Sequence, residues 1–284
     1  MEEPSKRQSI SPVMAMFEGF RSELDEHHDR RERVIKASRD ITAASKKIVR
    51  TLNKPLPAFV TKSNAQYWGI IQTQYKNISR DLQGLNAYRY GRNITGGNQE
   101  FMEALSFQHY LEHQNLISYK EAKNYVAKLG EEGGPVLLST EDYILGIFDM
   151  VGELMRFAIT AMATSGELPG TLIEKDLPSM GSHDEQSGDS MDVEQPSTTR
   201  PPHAQKRDVL ADLRELRLCL EGLEPSRGSK FEGDAEKKMT VMRQCVEKVE
   251  TALYGLIVRG QERPKGWIPD LREERRAPEA VEGY

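Results

Sequence analysis

The chain has 284 residues and a formal net charge of −5, with 37% hydrophobic and 29% charged residues. That balance suits a helical protein in water, and its acidic total argues against a stand-alone nucleic-acid binder. No apolar run approaches the ~20 residues needed to cross a bilayer, and the N-terminal MEEPSKRQSISP lacks the apolar core of a secretion signal.

Residues 1–10 read as a disordered N-terminus. Ser11-Pro12 has the pattern of a helix start, with Ser as N-cap and Pro at the first helical position. A long first helix is predicted from there to about Leu52. Its apolar and small positions alternate by three and four: Phe17, Phe20, Leu24, Val34, Ile35, Ser38, Ile41, Ser45, Ile48, Leu52. Such a stripe faces a partner helix, in an elongated bundle or at a subunit contact. KPLPAF at 54–59 reads as a loop, and a second helix is expected from about Asn64 to Tyr90. The glycine pair in GGN at 96–98 predicts a break, after which QEFMEALSFQHYLEHQ forms a third helix. Ser118 and Glu121 form a capping box that starts a fourth helix ending at Gly130, and Ser139 caps a fifth over TEDYILGIFDMVGELMRFAITAMATSG.

Residues 178–206 are polar and poor in large apolar side chains. Within them SHDEQSGDSMDVE holds five acids and no Lys or Arg. This composition predicts a disordered insertion, and Ser187, Ser190 and Ser197 in it are candidate phosphorylation positions. A sixth helix covers VLADLRELRLCLEGL, and a seventh runs from about Gly233 to Val258. Residues 266–284 read as an extended tail. No segment reads as a strand, so the expectation is an all-α, seven-helix elongated bundle. Its domain spans 11–265, with the insertion before the last two helices. Cys219 and Cys245, the only cysteines, fall in helical patterns and are expected as core thiols in a reducing intracellular setting.

Two helices carry acids where burial is expected. FDMVGELMRF places Asp149 and Glu153 four apart, among Phe148, Met150 and Val151. EFMEALSF places Glu100 and Glu103 three apart, among Phe101, Met102, Leu105 and Phe107. Each pair shares a helix face, where like charges repel. If the third and fifth helices pack side by side, the four carboxylates converge. An all-oxygen set without Cys or His suits a hard cation, Mg²⁺ or Mn²⁺, which would offset the repulsion. Such a site could activate water and neutralise charge on a phosphodiester. The plainer reading has these acids solvated, with Glu100 favoured by the helix dipole and Glu153 paired with Arg156. Each motif alone is weak; the combination has weight.

Lys36, Arg39, Lys46, Lys47 and Arg50 lie on or beside one face of the first helix. They are candidate phosphate contacts or a solvated face. Tyr67, Trp68, Tyr75, Tyr88 and Tyr90 could stack bases, but packing is the commoner role of such residues. His109 and His113 are four apart. His109 is rotated away from Glu103, so both read as structural or surface residues. There is no Ser–His–Asp pattern, glycine-rich phosphate loop or Glu-x-x-His on the third or fifth helix.

The blocks SPVMAMFEGFRSELDEHHDRRERVIKASRDIT, EFMEALSFQHYLEHQNLIS, DYILGIFDMVGELMRFAI and VEKVETALYGLIVRG resemble the translin family, in its translin-associated factor X branch. In family order they cover roughly residues 11–175 and 207–265. The resemblance implies a seven-helix bundle that assembles with translin into a closed hetero-octamer. It implies a Mg²⁺-dependent endoribonuclease acting on single-stranded RNA, with roles in passenger-strand removal during RNA silencing and in tRNA processing. Single-stranded DNA binding and residence in cytoplasm and nucleus are implied with it. In that branch Glu100, Glu103, Asp149 and Glu153 would be the catalytic, metal-holding acids. The alternative is a non-catalytic scaffold that stabilises translin. The acidic insertion has no evident family counterpart, and the basic import signal of some relatives is reduced here to Ser5-Lys6-Arg7.

Overall fold

The structure, a computed structural model, describes residues 12–53, 60–170 and 208–259. The expected Ser11 cap, the 54–59 loop, the N-terminus, the 178–206 insertion and the 266–284 tail lie outside the described residues. Among those described there are seven α-helices and no strand: α1 Pro12–Leu52, α2 Val60–Ser79, α3 Leu85–His113, α4 Tyr119–Leu129, α5 Thr140–Ser165, α6 Val209–Glu221 and α7 Lys230–Arg259. The chain gathers into two compact units, residues 1–153 with 225–240 and residues 154–224 with 241–284, so the boundary falls inside α5 and α7.

In the first unit α1 packs along α3 and α2. Its buried face holds Val34, Ser38, Ile41, Ser45, Ile48 and Leu52 of the predicted stripe together with Ala37 and Ala44, whereas Ile35 is half-buried and Phe17, Phe20 and Leu24 are exposed within this chain. The small residues of that face admit a close neighbour. The Gly97 N–H of α3 donates to Ser38 Oγ at 3.0 Å, and a Cβ on Gly97 would lie 3.1 Å from the Ser38 Cα.

This contact corrects the expected break at 96–98: the glycines sit inside an unbroken α3 because a neighbouring backbone comes close, not because the helix ends. The interruption lies earlier, where α2 gives way to a 3₁₀ turn at Arg80–Leu82 and Gly84 adopts a φ of 57°. Buried Asp81 in that turn accepts from both Arg33 Nε and Nη2 at 2.9 Å and from Arg30 Nε at 3.2 Å. The turn is thereby tied to α1, and the carboxylate holds the Arg33 guanidinium above its ordinary basicity.

The predicted caps are present. Ser118 and Glu121 form the reciprocal capping box of α4, and Ser139 Oγ accepts from the Asp142 N–H at 3.0 Å at the start of α5. A buried polar network sets α5 against α3. Asp142 accepts from Asn98 Nδ2 at 3.1 Å and Gln99 Nε2 at 3.2 Å, and the Tyr75 hydroxyl donates to Asn98 Oδ1 at 2.9 Å. Desolvation raises the affinity of Asp142 for a proton, and it raises that of fully buried Tyr75 as well.

In the second unit Asp208 caps α6, accepting from the Ala211 N–H at 2.8 Å. Glu221 accepts from Arg217 Nε at 3.1 Å and from Arg243 Nε of α7 at 2.7 Å, while Arg214 Nε meets Glu250 at 2.8 Å. Leu210, Leu213, Leu220, Val246 and Val249 are buried. Cys245 joins them, but Cys219 is exposed, contrary to expectation. The run LRLCL offers apolar groups all round the helix. Burial selects the face of Leu213 and Leu220 and leaves Cys219 and Leu218 outside it. Gly170 and Asp208 form one isolated antiparallel bridge, with the Val209 N–H donating to the Pro169 carbonyl at 3.1 Å.

Candidate active site on the third and fifth helices

The third and fifth helices are neighbours, and a glycine sets how near they come. A Cβ on Gly146 of α5 would lie 2.5 Å from Met102 Cβ, 2.9 Å from the Gln99 carbonyl oxygen and 3.3 Å from the Glu103 nitrogen of α3. The two backbones therefore cross beside the Glu100–Glu103 turn. Asp149 and Glu153 follow one and two turns further along α5. Around Glu103, Phe101, Met102, Ala104, Ser106 and Phe107 are buried, while Glu100, Glu103 and Asp149 are themselves half-buried.

Burial and neighbouring charge act together on Glu103. The Glu103 carboxyl is pushed up to about 8, first by burial, then by the charges of Glu100, Asp149 and Glu153, and it shares a hydrogen bond with Glu100. The charges of the other three predicted acids thus reach Glu103. The other three also have specific partners. Glu100 Oε1 meets Lys46 Nζ of α1 at 3.0 Å, and Asp149 pairs with Lys238 of α7. Glu153, 6% exposed, accepts from Asn53 Nδ2 at 2.5 Å. The Lys46 ammonium is made more basic by Glu100, with further contributions from Glu103 and Asp149.

Lys238 and Asn53 were not legible in the sequence. Lys238 is one of many helical lysines, and Asn53 precedes a proline-containing stretch that reads as loop. Asn53 uses its nitrogen twice, toward Glu153 and toward the Val49 carbonyl at 3.3 Å. Its oxygen is buried and meets no donor among the described residues.

Of the five basic candidates, all are exposed on α1. Lys46 reaches the acids, and Lys47 sits over the Tyr67 ring at 5.3 Å from its centroid. Tyr75 and Tyr90 are core residues, and Trp68 packs edge-on against Phe101 and donates to Gln108 at 3.0 Å. Tyr88 is 83% exposed. His109 and His113 stack on each other, with centroids 4.4 Å apart, and His109 Nε2 meets Asn115 Oδ1 at 2.8 Å.

The donor set fits a hard divalent cation in its chemistry. It is all oxygen, it carries mutual repulsion that a cation would relieve, and an acceptor oxygen without a donor lies beside Glu153. Yet among the described residues no three Asp, Glu, His or Cys side chains stand close enough together to hold an ion as they are placed. Charge acts over longer distances than the ~2.0–2.6 Å of a metal–oxygen bond. The two ammonium groups meanwhile supply positive charge at Glu100 and Asp149.

Comparison with known proteins bears on the family and the fold. The Translin family model matches residues 29–260. The mouse (Mus musculus) protein named translin-associated protein X is 28% identical over 92% of this chain and 84% of its own length. The fission yeast (Schizosaccharomyces pombe) translin-associated protein X homolog is 27% identical over 86% of this chain and 87% of its own. Among solved structures, apo-NeC3PO superposes with a TM-score of 0.53 at 16% identity, covering 86% of this chain and 100% of that one, a likeness of fold. No described helix is long and apolar enough to cross a membrane.

Proposed function

The chain belongs to the translin family, and from that premise we propose that it is the catalytic subunit of a translin-containing, Mg²⁺-dependent endoribonuclease acting on single-stranded RNA. The name of its relatives, translin-associated protein X, supports translin as the partner, in a hetero-oligomer for which the family suggests eight subunits. The observation that supports the reading is the close crossing of α3 and α5 at Gly146, beside Glu100 and Glu103 and within two turns of Asp149 and Glu153, so that burial and the charges of its neighbours hold the Glu103 carboxyl above the usual range.

In this reading Glu100, Glu103, Asp149 and Glu153 supply oxygen ligands, and Mn²⁺ substitutes for Mg²⁺. The bound ion supplies charge neutralisation at the phosphodiester and a source of hydroxide at neutral pH. One of the four acids would activate the attacking water as general base. Lys36, Arg39, Lys47 and Arg50 present phosphate-binding charge along the exposed face of α1.

The test is cleavage of labelled single-stranded RNA by the chain purified with translin, in Mg²⁺ and in EDTA. Cleavage that needs Mg²⁺ and disappears in Asp149→Asn and Glu103→Gln, with RNA binding and assembly retained, supports the reading. Equal cleavage by the wild type and both variants overturns it. One observation favours the second reading, a non-catalytic scaffold for translin: the pairing of Lys46 and Lys238 with two of the acids. Absence of metal-dependent cleavage in the same assay selects it.

A further inference from the structure

We propose that Lys46 and Lys238 are displaceable counter-ions of the acid quartet, positioning residues that hold the cation-free centre together and set its divalent affinity by competing for the same oxygens. This rests on the reading of the quartet as a divalent-cation site. The lysines come from helices independent of the acids and of each other, α1 and α7, and each meets a different carboxylate, Glu100 and Asp149. The field of the Lys46 ammonium reaches Glu100, Glu103 and Asp149, three of the four acids. Its charge therefore does part of what a bound cation would do there.

Chemistry favours release over permanence. A lysine ammonium is a compact charge on a flexible four-carbon stem, without the planar fork by which arginine locks a carboxylate in two bonds. The Lys46 side chain is 62% exposed and the Lys238 side chain 27%, so each has a route to water when a cation takes its place. Where a carboxylate must stay paired in this fold, at Asp81, the partners are arginines. The cation-free centre thus has its repulsion partly neutralised from within, and a divalent ion enters against that compensation.

The experiment titrates Mn²⁺ alone into the full-length chain and its variants and follows free Mn²⁺ by EPR, with thermal unfolding in chelator alongside. Lys238→Met is expected to bind Mn²⁺ more tightly, by about fivefold, the upper end of the worth of a partly exposed ion pair. Lys46→Met should tighten less, because its pair is more solvated, and Lys238→Arg should stay at or below wild-type affinity. Lys238→Met should also unfold at lower temperature in chelator and recover in excess Mn²⁺. If Lys238→Met does not fold in chelator, Lys46→Met, with its exposed side chain, carries the test. Damage to packing alone lowers affinity, so tightening separates the two explanations. Wild-type Mn²⁺ binding with no tightening in the methionine variants overturns this inference and leaves the metal reading standing. No Mn²⁺ binding by any of the proteins overturns both.

Discussion

Gly146 of α5 lies so close to Met102 of α3 that a Cβ built on the glycine would stand 2.5 Å from the methionine Cβ. Alanine at a solvated helical glycine usually stabilises by up to ~1 kcal/mol. Here the added methyl meets a side-chain root and two backbone atoms that cannot turn aside. Gly146→Ala is expected to cost about 1–3 kcal/mol by overpacking and to weaken Mn²⁺ binding by spreading α3 from α5. Chemical denaturation and a Mn²⁺ titration check both; a stabilised variant would contradict the close crossing.

Gly96 and Gly97 are adjacent in α3, yet they should respond with opposite signs. A Cβ at Gly96 meets nothing within 4 Å, whereas one at Gly97 presses on Ser38 at 3.0–3.1 Å. Gly96→Ala should therefore raise stability by up to ~1 kcal/mol. Gly97→Ala should lower it by about 1–2 kcal/mol and loosen α1 from α3. Thermal melts of the two variants decide the matter.

These glycines also show where the sequence was legible. Periodicity and capping signals disclosed seven helices, most of the buried stripe of α1 from Val34 to Leu52 and the capping serines Ser118 and Ser139, because each is written in neighbouring residues. The GGN triplet misled because a glycine that ends a helix and one that admits a neighbour are the same letter; only the position of Ser38 distinguishes them. The two acid pairs stand out in the sequence because each repeats at helical spacing among apolar residues. Their counter-charges do not, because Lys238 reaches Asp149 from a helix 89 residues away.

Without a divalent ion, stability should fall as pH rises toward 8. Glu103 is raised from an ordinary 4.5 to about 8. Between those values the folded chain keeps a proton that the unfolded chain has released, so unfolding becomes easier as pH climbs through the window and levels off above it. The unfolding midpoint, followed in chelator across that range, should decline for the wild type. Glu103→Gln, which cannot ionise, should show a flatter profile and greater stability at the alkaline end.

Asp81 fastens the turn after α2 to α1 through two arginines. Asp81→Ala removes all three hydrogen bonds and leaves Arg30, 20% exposed, without that partner. The expected loss is about 2–3 kcal/mol, below the roughly 3–5 kcal/mol of a fully buried pair because Arg33 is half in water. Urea unfolding measures it. Retention of wild-type stability would show that the arginines find equal partners elsewhere.

The bridge between Gly170 and Asp208 has a practical consequence. It fastens residues 170 and 208 of the second unit to each other at the start of α6, which is capped by the residue that closes the bridge. When two points of a chain are already fastened together, doubling the number of residues between them in sequence costs only ~0.6 kcal/mol of closure entropy. Evolution and the experimenter alike can edit that interval, trimming it or grafting a fluorescent reporter into it, while the helices on either side keep their register.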